Sequence, residues 1–177
     1  RRETGLGHLD RHRTETGMSL RTLGLAATAM AGLVLATPAL AAPDPEQAPI
    51  LATVQKFFDA LAAQDSTTIR GIVLPGGVYT AVRVNADGST KVSRRPVDES
   101  FSTSIDPGLN ERMWSPVISR RGPMATVSAP YEFQLNGKTT HCGVDVFSLV
   151  KSDGAWKIAG LMWTQEPAAC PELKAQK

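Results

Sequence analysis

The stretch 133–160, FQLNGKTTHCGVDVFSLVKSDGAWKIAG, predicts antiparallel strands joined by tight turns. Asn136-Gly137 and Asp153-Gly154 each separate segments rich in β-branched and aromatic residues, and Asn-Gly is the strongest short hairpin signal in a sequence. We therefore expect strands over 124–135, 139–150 and 156–164. This run of strands decides the fold, because strands joined by two-residue turns must be neighbours in one sheet.

A two-residue turn at the first hairpin predicts which side chains share a face. In that register Glu132 lies opposite His141, and alternation along the strands adds Asp145 to the same face. Cys142 then points into the opposite, apolar face, and Gly143 suits a bulge or a strongly bent sheet. A slip of one residue in the pairing would exchange these partners.

Upstream of these strands, the sequence predicts three helices and a hairpin. A second short helix is expected after Asp65-Ser66, then a hairpin that turns at Asp87-Gly88, then a third helix from Pro96. The strand 111–119 contains Pro116, which favours a sheet edge or a bulge. Helices segregated from antiparallel strands predict an α+β fold. The first helix is indicated by apolar residues at three- and four-residue spacing, namely Ile50, Leu51, Val54, Phe57, Phe58 and Leu61.

Residues 18–41 have the features of a secretory signal peptide. Arg21 precedes an uncharged apolar run over 23–36, which is shorter than the roughly 20 residues that cross a bilayer. An Ala-x-Ala pattern ends at Ala41, so cleavage is expected before Ala42. We therefore predict a secreted protein of the bacterial periplasm with one domain over 42–177, after an upstream, non-structural segment 1–17. An uncleaved membrane anchor is the alternative.

The charge of the expected mature chain argues against two classes of partner. Residues 42–177 carry equal numbers of acidic and basic side chains, so the net charge is zero. Such a chain has no basic field that would attract nucleic acid or, after signal cleavage, an anionic membrane. His141 is the only histidine in this range, and a zinc site needs three or four ligands. We expect no metal and no cofactor.

The two cysteines, Cys142 and Cys170, are expected to form a disulfide. In an oxidising compartment two cysteines usually make one bridge. The bridge would hold the C-terminal tail against the sheet and contribute about 3–4 kcal/mol in the chain-entropy description. Two unpaired thiols are the alternative.

The chain resembles the nuclear transport factor 2-like (NTF2-like) superfamily, which includes the SnoaL-like and lumazine-binding-like families. The segment FSLVKSDGAWKI at 147–158 is similar to a motif near the C-terminus of that family. The segments APYEF at 129–133 and HCGVD at 141–145 resemble a secreted bacterial subgroup. The resemblance covers about residues 47–165 and includes the order of helices, hairpin and long strands.

The resemblance implies a cone-shaped fold, with a strongly curved antiparallel sheet that wraps around the first helix and leaves a pocket at its open end. It also implies a tendency to form homodimers through the sheet. Enzymes of the superfamily place an acid/base Asp in the pocket, often with Tyr or His. No such set matches this chain residue by residue, and a shared fold is weak warrant for a shared activity.

Three functional hypotheses follow. An isomerase or dehydratase could use Glu132, His141 and Asp145 as acid-base residues, although Glu132 opposite His141 could equally be an ordinary cross-strand pair. A non-catalytic, dimeric interaction module is a further alternative. The hypothesis that we favour is a domain that binds a small, largely apolar molecule. Its candidate ligand contacts are Trp114, Tyr131, Met162 and Trp163, which could also be core residues, whereas Trp156 is expected in the core.

Overall fold

The computed structural model describes residues 44–100 and 105–177. The expected upstream segment 1–17, the signal peptide 18–41 and the cleavage point before Ala42 lie outside the described residues. No helix in the described ranges is long and apolar enough to cross a bilayer. The elements, in chain order, are α1 (Gln47–Ala62), α2 (Ser66–Ile72), β1 (Val73–Val84), β2 (Thr90–Pro96), α3 (Val97–Ser100), β3 (Leu109–Met113), β4 (Val117–Arg121), β5 (Met124–Leu135), β6 (Lys138–Ser152), β7 (Ala155–Gln165), a 3-10 turn (Pro167–Ala169) and α4 (Cys170–Lys174).

The helices pack on a mixed seven-stranded sheet of order β2-β1-β7-β6-β5-β3, with β4 paired to the same side of β5 as β3. The α+β prediction is confirmed. The pairing of β1 with β7 is parallel, and the other strand pairs are antiparallel. A wholly antiparallel sheet was therefore the wrong expectation at this one boundary, which joins an early strand to the last one.

The core lies between α1 and the concave face of the sheet. Phe147 on β6 is fully buried, and its ring meets Phe57 and Phe58 of α1 with centroid distances of 5.7 and 5.6 Å. Such edge-on aromatic pairs contribute beyond the area that they bury. Trp156 is buried, as expected for a core residue, and its indole N–H donates to Glu46 at 2.7 Å.

The predicted edge strand 111–119 is two strands rather than one. β3 and β4 both pair with β5, and the chain between them departs from the sheet at Trp114, Ser115 and Pro116. Ser115 has a φ of 45°, a conformation that a continuous strand does not allow. Pro116 cannot donate to a strand ladder, so the break falls where the sequence loses a backbone donor.

The predicted register of the β5–β6 hairpin is wrong beyond the first two pairs. Asn136 and Gly137 form the turn with φ of 52° and 75°, as a type I′ turn requires. A bulge follows, because Gln134 pairs with Thr139 whereas Phe133 pairs with His141. The extra residue exchanges every later partner, so that Cys142, not His141, lies opposite Glu132.

The C-terminal segment, Pro167–Lys177, covers the convex face of the sheet near the bulge. A disulfide joins Cys142 of β6 to Cys170, with a Cα–Cα distance of 5.0 Å, which confirms the predicted bridge. The indole N–H of Trp114 donates to the carbonyl oxygen of Leu173 at 3.2 Å. The short helix α4, which the sequence analysis did not predict, is thus held by a covalent bond and by side-chain contacts.

Candidate functional site

A cavity of about 330 Å³ lies between α1 and the concave face of the sheet. Most of its wall is apolar. Aromatic rings come from α1 and from three strands, and seven polar side chains complete the wall. The apolar lining residues are Phe57, Leu61, Tyr79, Ile105, Leu109, Tyr131, Phe133, Leu161 and Trp163, and the polar ones are Arg95, Ser100, Asp106, Glu111, His141, Asp145 and Gln165.

Two carboxyl groups meet in this cavity. Asp145 on β6 is opposite Ala129, a small residue that leaves room for the carboxyl group, and is only 1% exposed. Glu111 on β3 is opposite Phe133, and the curvature of the sheet brings its carboxyl group into a hydrogen bond with that of Asp145. The pair occupies the concave side of the sheet, at the wall of the cavity.

Burial raises the pKa of both carboxyl groups. The pKa of Asp145 lies well above its ordinary value, because its charged form loses hydration and is repelled by Glu111. Burial likewise raises the pKa of Glu111, while the hydrogen bond from Asp145 opposes that shift. Since the pKa of Glu111 rises to about 8, both carboxyl groups are mainly protonated at neutral pH, and Asp145 donates the hydrogen bond that Glu111 accepts.

One oxygen of the pair has no partner. Asp145 Oδ2 makes no hydrogen bond with any described residue. None of the ion pairs in the described ranges includes Asp145 or Glu111. A buried polar atom without a hydrogen-bond partner lowers the stability of the folded state. No described residue compensates this cost for Asp145 Oδ2.

His141 lies in the same cavity but between aromatic rings rather than between carboxylates. Its ring stacks on Phe133 at a centroid distance of 5.0 Å and meets the edge of Tyr131 at 5.8 Å. Nδ1 lies 2.8 Å from the hydroxyl oxygen of Thr140. Burial, together with the positive charge of Arg83, lowers the pKa of His141, so the imidazole is neutral at pH 7.

Glu132 does not belong to this group, so the predicted set of Glu132, His141 and Asp145 is not a single cluster. The bulge in β6 places His141 and Asp145 on the concave face, whereas Glu132 of β5 lies on the convex face, where it is 1% exposed. It forms ion pairs with Arg112 at 2.6 Å and with Lys174 at 2.5 Å. Burial alone would raise the pKa of Glu132, but hydrogen bonds from Lys174, Thr139 and Arg112 outweigh it and hold the pKa well below its ordinary value. This carboxylate anchors the C-terminal segment.

The four candidate ligand contacts separate into two pairs. Tyr131 and Trp163 line the cavity, and their role as ligand contacts stays a prediction. Trp114 lies under the C-terminal segment, with the ammonium of Lys177 4.5 Å from its ring centroid. Met162 is 49% exposed on the convex face. Neither Trp114 nor Met162 borders the cavity, because Trp114 lies in the break between β3 and β4, and alternation along β7 turns Met162 to the convex face.

Glu111 was not among the predicted site residues, although the sequence contains a signal for it. In LNERM, over 109–113, Leu109, Glu111 and Met113 alternate with polar residues and thus share one face. An acidic residue between two apolar ones at that period indicates a buried carboxyl group. Phe57 and Tyr79 also line the cavity and were not among the predicted site residues.

Two further constraints shape the site. Within the described ranges, no group of three or more His, Cys, Asp or Glu side chains is placed to hold a metal ion. The hydroxyl of Tyr131 donates to the carbonyl oxygen of Thr164 at 2.6 Å, which fixes the ring in the cavity wall. Tyr79 meets Trp163 edge-on at 5.7 Å on the neighbouring part of the wall. The cavity is therefore bounded by packed aromatic rings.

Comparison with solved structures identifies the fold. An NTF2-like protein of unknown function from Shewanella baltica is 20% identical, with 73% of this chain and 100% of that chain covered and a TM-score of 0.51. An NTF2-like protein with a cystatin-like fold from Novosphingobium aromaticivorans is 9% identical, with coverage of 73% and 87% and a TM-score of 0.54. A protein from Xanthomonas campestris described as a calcium/calmodulin-dependent kinase II association domain is 21% identical, with coverage of 73% and 94% and a TM-score of 0.54.

The chain thus adopts the NTF2-like fold, and the resemblance found in the sequence is confirmed at that level. No protein-family model and no curated protein matches the chain.

Proposed function

We propose that this NTF2-like domain binds a small, largely apolar molecule in the cavity of the cone. The observation that carries the proposal is the composition of the wall, in which packed aromatic and aliphatic side chains surround a carboxyl pair whose Asp145 is buried. Cavities of this size, apolar with a few convergent polar groups, are typical of small-molecule sites. Solved NTF2-like proteins of unknown function share the fold that forms the cavity.

The rigidity of the wall supports binding as well. Tyr131 is held by Thr164, and Tyr79 is packed between Phe57 and Trp163, with centroid distances of 6.2 and 5.7 Å. Rings that are already ordered lose little conformational entropy when a ligand enters. The ordered rings around this cavity therefore support a ligand-binding role for these residues over a role in core packing alone.

Filling the cavity tests the proposal. Leu109→Trp adds an indole to the wall, and Val117→Trp adds the same group to the convex face of the adjoining edge strand, where Val117 is 68% exposed. Binding of phenylbutanol is measured by calorimetry. We expect Leu109→Trp to weaken binding at least about tenfold and Val117→Trp to leave it unchanged. Equal affinities for the two variants would place the ligand elsewhere.

A second candidate function is acid-base catalysis of the isomerase or dehydratase type, with Glu111 in the place that the sequence analysis gave to Glu132. The hydrogen-bonded pair of Glu111 and Asp145 favours it, because one member can accept a proton while the other donates one. His141, neutral in the same cavity, could relay a proton.

Exchange of carbon-bound hydrogen tests this second candidate without a known substrate. Benzylacetone is incubated in D2O, and the loss of its protons next to the carbonyl is followed by NMR. We expect the wild-type protein to accelerate exchange and Asp145→Asn to abolish the acceleration. An exchange rate equal to that of buffer alone, with wild-type protein present, would contradict catalysis of this kind.

We also propose that two copies of the domain associate through the convex face of the sheet. A row of uncharged side chains crosses this face, namely Thr80, Met162, Val146, Ser128 and Val117. Met162 and Val117 are among the most exposed large apolar residues of the described chain. A protein from Xanthomonas campestris described as an association domain shares the fold, which supports self-association, with or without a ligand. Such an interaction module is an alternative function for the domain.

The cellular compartment of the protein is also a proposal. We propose that the protein is exported to an oxidising compartment such as the bacterial periplasm, and the disulfide between Cys142 and Cys170 supports this. Mass spectrometry of the protein from cell fractions tests it. We expect a mature chain that begins at Ala42 in the periplasmic fraction, and full-length chain in the cytoplasm would contradict export.

A further inference from the structure

The carboxyl pair in the cavity has no positive partner in the described chain. Each of the four described ion pairs lies away from Glu111 and Asp145. The one basic side chain of the wall, Arg95, is exposed, as is Asp106 near it in the lining. The pair acquires a charge of −1 when it loses one proton. Buried charge of this kind is costly unless an opposite charge meets it.

The unpartnered oxygen specifies the kind of group that is missing. Oδ2 of Asp145 has no partner, so the hydrogen bond with Glu111 involves Oδ1, and Oδ2 is left as an acceptor. It is 1% exposed, lies in the cavity wall and meets no donor among the described residues. A ligand satisfies it by donating a hydrogen bond. A ketone or ether oxygen cannot, because it only accepts.

The surrounding rings suit a cation. Phe57, Tyr79, Phe133 and Trp163 border the same cavity, and the faces and hydroxyls of aromatic rings attract ammonium groups. His141 is neutral and therefore does not repel a positive ligand. A bare metal ion is a poor alternative, because the described residues offer no cluster of three ligating side chains.

We infer that the cavity binds an apolar molecule that carries a protonated amine, whose N–H groups donate to Asp145 Oδ2 and Glu111 while its carbon skeleton packs against the aromatic wall. The inference rests on the proposed function and adds to it the chemical class of the ligand. One ammonium group supplies the missing donor to Asp145 Oδ2 and compensates the negative charge that the pair acquires when it loses a proton. Both demands are met by a single functional group.

A matched set of ligands tests this inference. Phenylbutylamine, phenylbutanol and benzylacetone present an ammonium, a hydroxyl and a ketone on closely similar skeletons. Their affinities for the wild-type full-length protein are measured by calorimetry at pH 7. We expect the amine to bind on the order of tenfold or more tightly than either neutral compound.

Two variants test whether the carboxyl group of Asp145 causes the preference for the amine. Asp145→Asn keeps the shape of the side chain and removes the carboxyl group, so it should reduce the preference for the amine to within about threefold of phenylbutanol. Asp153→Asn removes a carboxylate of the same size from the exposed β6–β7 turn and should leave the preference intact. Thermal unfolding of each variant shows that it is folded before binding is compared.

The outcomes distinguish a failure of this inference from a failure of the proposed function. Tighter binding of phenylbutanol or benzylacetone than of the amine, or a preference that survives Asp145→Asn, would overturn the amine while leaving an apolar-ligand site. A failure of all three compounds to bind the wild-type protein would overturn both the amine and the proposed function. A preference lost in Asp145→Asn and kept in Asp153→Asn supports both.

Discussion

Three consecutive residues of β6 face three different surroundings. His141 borders the cavity, Cys142 points to the convex face and its disulfide, and Gly143 lies opposite Tyr131 on the concave face. A Cβ at Gly143 would collide with the carbonyl oxygen of Thr164 and come within 2.8 Å of the Tyr131 ring. Glycine is thus required here by space, because the ring of Tyr131 occupies the position of a side chain.

Gly143→Ala should destabilise the protein. The new methyl group must displace Thr164 or Tyr131, and overpacking of this kind costs about 1–3 kcal/mol. Gly71→Ala is the control, since a Cβ there meets nothing within 4 Å and helix α2 favours alanine over glycine. Urea unfolding of both variants measures the difference. An equally stable Gly143→Ala variant would mean that Tyr131 has another position available.

The carboxyl pair should make stability depend on pH. The folded state raises the pKa of Asp145 and Glu111 above their ordinary values of 3.8 and 4.5, so it binds a proton more tightly than the unfolded chain. Stability therefore falls as pH rises from about these values toward the raised ones. Asp145→Asn should flatten this dependence and exceed the wild type by about 1 kcal/mol or more at pH 8.

Urea unfolding between pH 5 and pH 8 checks this prediction. Asp153→Asn, which changes an exposed carboxylate, should follow the wild-type curve. Parallel curves for the wild type and Asp145→Asn would show that the pair is ionised in the folded state.

At the scale of elements, the strand boundaries match the prediction where a turn sequence marks them. The irregularity within β6 has no such mark in the sequence. The Asn-Gly and Asp-Gly turns end β5, β6 and β7 within three residues of the positions expected from the sequence. The bulge at Thr140 has no such mark, because any of several residues between Lys138 and His141 could be the extra one. That single residue explains why the sequence predicts Glu132 on the same face as His141 and Asp145, whereas the structure places it on the opposite face.

The C-terminal segment depends on its disulfide. Cys142→Ala combined with Cys170→Ala removes the bridge between β6 and the tail, and we expect a loss of about 3–4 kcal/mol of unfolding free energy. The midpoint of urea unfolding measures it, with the reduced wild-type protein as a second comparison. If the double variant matched the oxidised wild type, the ion pairs of Glu132 with Arg112 and Lys174 would be sufficient to hold the segment.

At the scale of the molecule, the class of fold could be predicted and one of its pairings could not. Helical spacing from Ile50 to Leu61, followed by strands, led to α+β and to the superfamily resemblance. The parallel pairing of β1 with β7 joins segments far apart in sequence, and no local pattern encodes it. The cavity depends on the same long-range geometry, since Glu111 and Asp145 meet only when the sheet is curved.

Association through the convex face is the prediction at this scale. Met162→Lys places a charge in the centre of the uncharged row, and Leu135→Lys places one at the hairpin, away from that row. Light scattering coupled to size exclusion should show a dimer for the wild type and for Leu135→Lys, and a monomer for Met162→Lys. A wild-type monomer at micromolar concentration would exclude this interface.

The position of β1 beside β7 also has a consequence for how the chain is made. The apolar side of α1, with Phe57 and Phe58, is covered by Phe147, which emerges from a ribosome long after the helix does. β1 cannot find its parallel neighbour until almost the whole chain has been synthesised. We therefore expect a nascent chain of this topology to stay unfolded until late, a property that would suit the export proposed above.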